Sequence, residues 1–288
     1  MTCLNVVRLA LVSFVLLAGC ARPQAGESEI ADSEAQALAI DNGLMPNGLM
    51  PNGLMPNGLM PNALSPNALA SSALSPSARK AIEDPGLAGE LSRMLLRYTV
   101  SCALSPNQAF VFSWVDSEGV VHDESYPGQL GIAPEWAAAP LGLSGQELVS
   151  ACLAARTNWR GVQVIISMRF YDGLLPVMED SVESISYPYL EGAFWGNLFA
   201  PEPYLRACYM EGNSEHSRAA ERDCACGHID ADGAVVQCGI IDIVGPCSDY
   251  CAGPSLVANL FGALGQYYPA CDDPTHGRTS AVITTALP

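Results

Sequence analysis

A single lysine, Lys80, occurs in the 288 residues, and basic residues of both kinds number 13 against 30 acidic ones, a formal net charge of −17. A surface of that sign repels phosphate backbones and anionic lipid heads, which argues against nucleic-acid binding. The imbalance holds in residues 87–288, where nine Arg and no Lys face 23 Asp and Glu, 9 − 23 = −14. Also missing are a G-x-S-x-G elbow, an H-E-x-x-H pair and a glycine-rich phosphate loop, so the chain lacks the signatures of three common catalytic machineries. The four histidines, His122, His216, His228 and His276, are scattered. No apolar run reaches the about 20 residues that a membrane-spanning helix needs. No cofactor is implied.

What is present begins with Arg8, an apolar run over 9–17 broken only by Ser13, and then Leu17-Ala18-Gly19-Cys20. A basic start, a short apolar middle and small residues before a cut are the layout of an export signal. The last four residues resemble the lipobox of bacterial lipoproteins. That resemblance implies removal of residues 1–19, a lipid on the Cys20 sulfur and acylation of its new amino terminus. Two or more acyl chains hold stably where one does not, because each buried methylene contributes about 0.8 kcal/mol. Ala21 stands where Asp would imply inner-membrane retention, so the resemblance points to the outer membrane, with the lipid anchor as the membrane contact.

From Asn42 the chain reads NGLMP four times, then NALSP, NALAS and SALSP, with no charged residue over 42–78. Leucine recurs every five residues from Leu44 to Leu74, a period that matches neither helix nor strand and gathers no apolar face. Proline in nearly every unit forbids helix interior, and Pro-Asn-Gly suits a type I turn. The acidic stretch before the repeat lacks aromatics, and neither segment buries enough apolar surface to offset chain entropy. Residues 20–85 therefore read as a disordered tether, averaging about 45 Å end to end if flexible. The fives also resemble pentapeptide-repeat β-helices, but seven units are too few to bury a continuous core and their prolines depart from that family. They are similar, too, to repeats of bacterial lipoproteins that carry no assigned activity.

Residues 87–288 suffice for one globular domain. Leu87, Leu91, Met94, Leu95, Tyr98 and Cys102 fall at helical spacing and predict an opening amphipathic helix. Strands over 110–115 and 120–123 around Asp116-Ser117-Glu118-Gly119 predict a hairpin. Ser144 and Glu147 form a capping-box pattern for a second helix reaching about Trp159. Strands are expected over 162–170, 235–244 and 281–287, and a third helix over 255–267. Strands and helices do not alternate as a parallel α/β fold requires. The expected class is α+β, with a mainly antiparallel sheet and two or three helices.

Apart from Cys3 and Cys20, nine cysteines remain, and seven of them crowd into 208–271. In an exported chain these read as disulfides bracing a C-terminal lobe. The expected bridging set is Cys102, Cys208, Cys224, Cys226, Cys238, Cys247, Cys251 and Cys271. Nine is odd, and Cys152, on the apolar face of a predicted helix, is the expected free thiol, with pairing to Cys102 as its alternative. A weaker alternative groups Cys224, Cys226, His228 and Asp230 on one face of a strand as zinc ligands. Against it stand the export signal and the turn chemistry of Asp230-Ala231-Asp232-Gly233.

The stretch over 187–204, YPYLEGAFWGNLFAPEPY, is the candidate binding surface, with Tyr187, Tyr189, Glu191, Trp195 and Asn197 as ligand contacts for a glycan or an envelope protein. The competing reading places Phe194, Trp195 and Phe199 in the core. Glu179, Asp180, Glu191, Asp272 and Asp273 are the carboxylates that a glycoside hydrolase would draw on. The sequence thus predicts a lipid-anchored envelope protein with a binding domain; an extracellular hydrolase or a purely structural component are the alternatives.

Overall fold

Serine followed by proline is a helix start, because the hydroxyl accepts an orphan amide and proline has no amide to orphan. Ser75-Pro76 does this at the end of the repeat: Ser75 Oγ accepts from Ala78 N at 3.1 Å, opening α1 (Pro76–Glu83). The computed structural model describes residues 68–170, 185–258 and 264–288. The expected signal segment, Cys20, the repeat through residue 67, Glu179 and Asp180 lie outside the described residues.

Helix α1 buries Ala78, Ala81 and Ile82 and packs on α2 (Leu87–Ala103). The fully buried Leu95 and Leu96 and the buried Tyr98 and Cys102 confirm the core face of α2, whereas Leu87 is 71% exposed at its start. Arg93 Nη1 donates to Ile82 O and Asp84 O, both at 2.8 Å, serving carbonyls that the end of α1 leaves open. Its guanidinium also lies 3.7 Å from the centroid of Trp114. Trp114 belongs to β1 (Ala109–Val115), which pairs with β2 (Val121–Pro127) in the expected hairpin. Helix α3 (Leu143–Ala155) is tied to α2 by the Cys102–Cys152 disulfide.

The central sheet contains β3 (Ser167–Phe170), β4 (Tyr189–Asn197), β5 (Tyr204–Tyr209), β8 (Ile241–Pro246) and β13 (Ile283–Leu287), in the order β3-β13-β4-β5-β8. Its pairs are antiparallel except β5 with β8. Alternation along β4 separates two cores. Phe194 joins the larger one under α1, α2, α3 and the hairpin, while Ala193 and Trp195 join a smaller one with Cys208, Cys247, Cys251, Cys271 and Tyr268. Around the sheet lie α4 (Ser214–Ala219), β6 (His228–Ile229) with β7 (Val235–Val236), α5 (Cys247–Tyr250), β9 (Ser255–Ala258) with β10 (Leu264–Tyr267), and β11 (Cys271–Asp273) with β12 (Gly277–Thr279). The class is α+β, with five α-helices among the described residues.

Several expectations require correction. Packed structure starts before residue 87: Leu69 is 4% exposed and its amide donates to Trp136 O at 2.6 Å. Where a third helix is expected over 255–267, the described residues form the antiparallel strands β9 and β10 instead, with Leu264 opposite Ala258 and Tyr267 opposite Ser255, while residues 259–263 lie outside the described residues. The strand expected over 162–170 begins at Ser167; Asn158 Oδ1 takes the Val162 amide at 3.1 Å and diverts the chain. The strand over 235–244 divides into β7 and β8 because the chain turns between Cys238 and Ile241, whose amide donates to Cys238 O at 3.1 Å. The capping box does not form: α3 starts after Gly142 without a side-chain cap.

Candidate functional site

Among the described residues there are four disulfides: Cys102–Cys152, Cys208–Cys247, Cys224–Cys238 and Cys251–Cys271. The free thiol among the described residues is the buried Cys226, not Cys152. Cys102 and Cys152 occupy facing positions on α2 and α3 with Cα atoms 6.2 Å apart, within bridging reach. Burial pushes the Cys226 thiol above its usual range, opposed by a hydrogen bond with Ser217. It behaves as a small apolar side chain rather than a nucleophile.

The zinc alternative is also corrected. Cys224 is bonded to Cys238, His228 Nδ1 lies 2.7 Å from Asp223 Oδ2, and Asp230 Oδ1 accepts the amides of Asp232 and Ala234, both at 2.9 Å. Each of these groups holds its own turn, and they do not converge on one point.

The aromatic stretch over 187–204 is mostly interior. Trp195 and Phe194 are fully buried, Asn197 is 5% exposed and Glu191 is fully buried, so Glu191, Trp195 and Asn197 cannot meet a ligand. Asn197 Oδ1 instead accepts the Phe199 amide at 2.8 Å. The rim differs: Tyr187 is half-buried and Tyr189 exposed, with Tyr189 stacked on His216 at 3.7 Å between centroids.

Glu191 anchors a polar core. Arg222 Nε lies 3.0 Å from Oε1 and 3.1 Å from Oε2. Ser217 Oγ donates to Oε1 and Thr285 Oγ1 to Oε2, each at 2.7 Å. Arg222 also donates to Ala155 O at 2.6 Å. Arg222 reaches inward between Glu221 and Asp223, whose φ angles are +61° and +55°. Non-glycine residues in that region cost about 1–3 kcal/mol each, and here the cost accompanies insertion of a guanidinium into the core.

At the other end of the sheet, a second polar group is closer to solvent. Asp273, at the end of β11, accepts through Oδ1 from Thr275 N at 2.8 Å, Thr275 Oγ1 at 2.7 Å and His276 N at 2.9 Å. The same oxygen is 2.9 Å from His276 Nδ1. Arg206 Nε lies 2.9 Å from Oδ2 and its Nη1 lies 3.3 Å from Asp242 Oδ2. Burial alone raises the Asp273 pKa, but the Thr275 and His276 hydrogen bonds overcome it and hold the carboxyl well below the usual range.

His276 stacks flat on Tyr204, centroids 3.6 Å apart and planes 1° apart. Burial raises the Tyr204 pKa, aided by the charges of Glu147 and Asp273. Burial likewise raises Glu147, against a weak 3.4 Å bond from Thr279 Oγ1. The Asp273 carboxylate and Thr275 Oγ1 both meet the imidazole at Nδ1, which fixes the ring's orientation over Tyr204. The hydroxyl touching the ring, Thr275 Oγ1, is already engaged by Asp273.

Of the hydrolase carboxylates, the structure brings Asp273 to this site, leaves Asp272 exposed beside Arg278 at 3.6 Å and buries Glu191 elsewhere. Tyr204, Arg206, His276 and Glu147 were not singled out as site residues by the sequence. The available signal was Asp273-Pro274-Thr275-His276-Gly277, a turn in which a side chain folds back on its own backbone. Comparison with protein-family models, with curated proteins and with solved structures gives no match for this chain.

Proposed function

We propose that this chain is an exported envelope lipoprotein, held in the outer membrane through Cys20, whose acidic domain binds a ligand at the cell envelope. The observation that carries the reading is the pairing of all domain cysteines except Cys226 into four disulfides. Persistent disulfides belong to oxidising compartments, the same destination that the lipobox resemblance implies. The ligand class is a glycan or an envelope protein, met by the aromatic rim that stays at the surface, Tyr187 and Tyr189. Fractionation of cells expressing the full chain, with mass spectrometry of the mature amino terminus, tests it. The expected result is a membrane-bound chain that begins at acylated Cys20, with Cys20→Ser released from the membrane. A chain retaining residues 1–19, with every thiol titratable before denaturation, overturns it.

A second reading, an extracellular hydrolase, is favoured by one arrangement: the buried Asp273 orienting the partly exposed His276 beside Glu147 and Tyr204. An oriented imidazole and a carboxyl kept neutral to higher pH are the parts that acid–base cleavage uses. Hydrolysis of a polysaccharide or ester panel that disappears in His276→Ala, with folding intact, selects this reading over binding.

A further inference from the structure

Two of the disulfides are not independent. Cys208–Cys247 and Cys251–Cys271 pack side by side in the smaller core, with Cys208 Sγ 3.5 Å from Cys251 Sγ across the non-bonded gap. The Sγ atoms of Cys208, Cys247 and Cys251 all lie within 4.8 Å of one another. We propose that these four cysteines form a thiol–disulfide exchange site that accepts two electrons from a dithiol reductant at Cys251 and passes the broken bond to Cys208–Cys247.

Cys251 is 9% exposed, whereas Cys208 and Cys271 are fully buried and Cys247 is 1% exposed, so a reductant thiolate meets the Cys251 sulfur first. Its attack forms a mixed disulfide and expels Cys271 as a thiolate, which takes up a proton. The second thiol of the reductant attacks its own sulfur in that mixed disulfide, leaves as an intramolecular disulfide and frees the Cys251 thiolate. Cys251 Sγ then attacks Cys208 Sγ, a Cys208–Cys251 bond forms, and Cys247 departs as a thiolate that is protonated in turn. The products are one oxidised dithiol, one protein disulfide and two protein thiols, Cys247 and Cys271.

Proximity makes the last step intramolecular, with the reacting sulfurs already at near-attack separation. The backbone keeps it so after the first bond opens. Cys251 N donates to Cys247 O at 2.8 Å, Ala252 N donates to Ala270 O at 2.9 Å, and Cys251 is bridged to Cys271 as a β-pair. The compactness of the three sulfurs places Cys251 beside the Cys208–Cys247 bond rather than behind it. The Cys251 side chain must therefore turn about its own Cα–Cβ bond, which release from Cys271 permits. The outcome leaves β5 cross-linked to the α5 segment in both redox states.

This proposal does not depend on lipidation and is tested on the purified, oxidised full chain. In Cys271→Ser, Cys251 lacks its native partner. After incubation at mildly alkaline pH with trace dithiothreitol, alkylation and peptide mapping are expected to find Cys208–Cys251 with Cys247 alkylated in most molecules. Cys247→Ser is expected to reach the same bond from the other side, with Cys271 alkylated. In the unmutated protein, one equivalent of dithiothreitol followed by acid quench is expected to yield Cys247 and Cys271 as the alkylated pair. An alkylated Cys251 with Cys208–Cys247 intact, in a variant whose near-ultraviolet circular dichroism is native, overturns the proposal. Should both variants fail to fold, an alkylated Cys251 and Cys271 pair in the unmutated chain overturns it equally.

Discussion

Glu191 Oε1 and Arg222 Nε stand 3.0 Å apart with both side chains wholly withdrawn from water. Removing one partner of such a pair strands the other charge, at a cost of about 3–5 kcal/mol, whereas replacing both with apolar groups is often close to neutral. Arg222→Met is therefore expected to lower unfolding free energy by about that amount. The double variant Glu191→Leu, Arg222→Met should recover much of the loss. Urea denaturation with the disulfides intact measures both, and equal losses in single and double variants would refute the reading.

The α+β class was legible because α2 and the β1–β2 hairpin are dictated locally. Leu95, Tyr98 and Cys102 recur at helical spacing, and Asp116-Ser117-Glu118-Gly119 supplies turn chemistry between alternating strands. The Glu191–Arg222 pair was not legible. It joins residues far apart in sequence, and a buried glutamate looks like a surface one until its partner is known. The β9–β10 segment misled for a different reason. Its valine, leucine, alanine and glycine residues satisfy helix and strand alike, and only cross-strand pairing decides. The domain start was readable from Ser75-Pro76, but the five-residue repeat ran through those residues and masked the helix signal.

The Cys102–Cys152 bridge closes a 50-residue separation between α2 and α3. Losing such a disulfide typically costs about 2–5 kcal/mol. The double variant Cys102→Ala, Cys152→Ala should unfold at a correspondingly lower urea concentration under non-reducing conditions. A change of only a few tenths of a kcal/mol would mean that the two helices are held by packing alone.

Cys226 is buried, and burial raises its pKa. In folded protein it should resist iodoacetamide at neutral pH, and it should label once denaturant opens the core. Labelling as fast as a free model thiol in the native state would contradict this placement.

Asp273 supplies the clearest pH dependence. Its folded pKa lies below the unfolded value, so the native state binds this proton less readily than the unfolded chain does. The resulting stabilisation is complete above the unfolded carboxyl pKa of about 4 and is lost as pH falls through the folded value. One such group contributes at most one proton to the slope, about 1.4 kcal/mol per pH unit. Asp273→Asn should be less stable than the unmutated protein at neutral pH and should flatten the acid limb. Unfolding curves across that acid range measure the slope, and an unchanged limb would place the acid sensitivity elsewhere.

Trp195 separates a structural stretch from a binding one. Its ring is fully buried among Leu190, Ala193, Cys208 and Tyr268, and truncation of a buried tryptophan to alanine costs about 3–5 kcal/mol through lost contacts and the cavity left behind. Trp195→Ala should therefore lower the melting temperature in the absence of any ligand. Tyr189→Ala, at the exposed end of the same strand, should leave the melting temperature nearly unchanged and weaken retention on a glycan or envelope-protein matrix if the rim is the binding surface. Loss of retention in Trp195→Ala with an unchanged melting temperature is the outcome that would return the tryptophan to the surface.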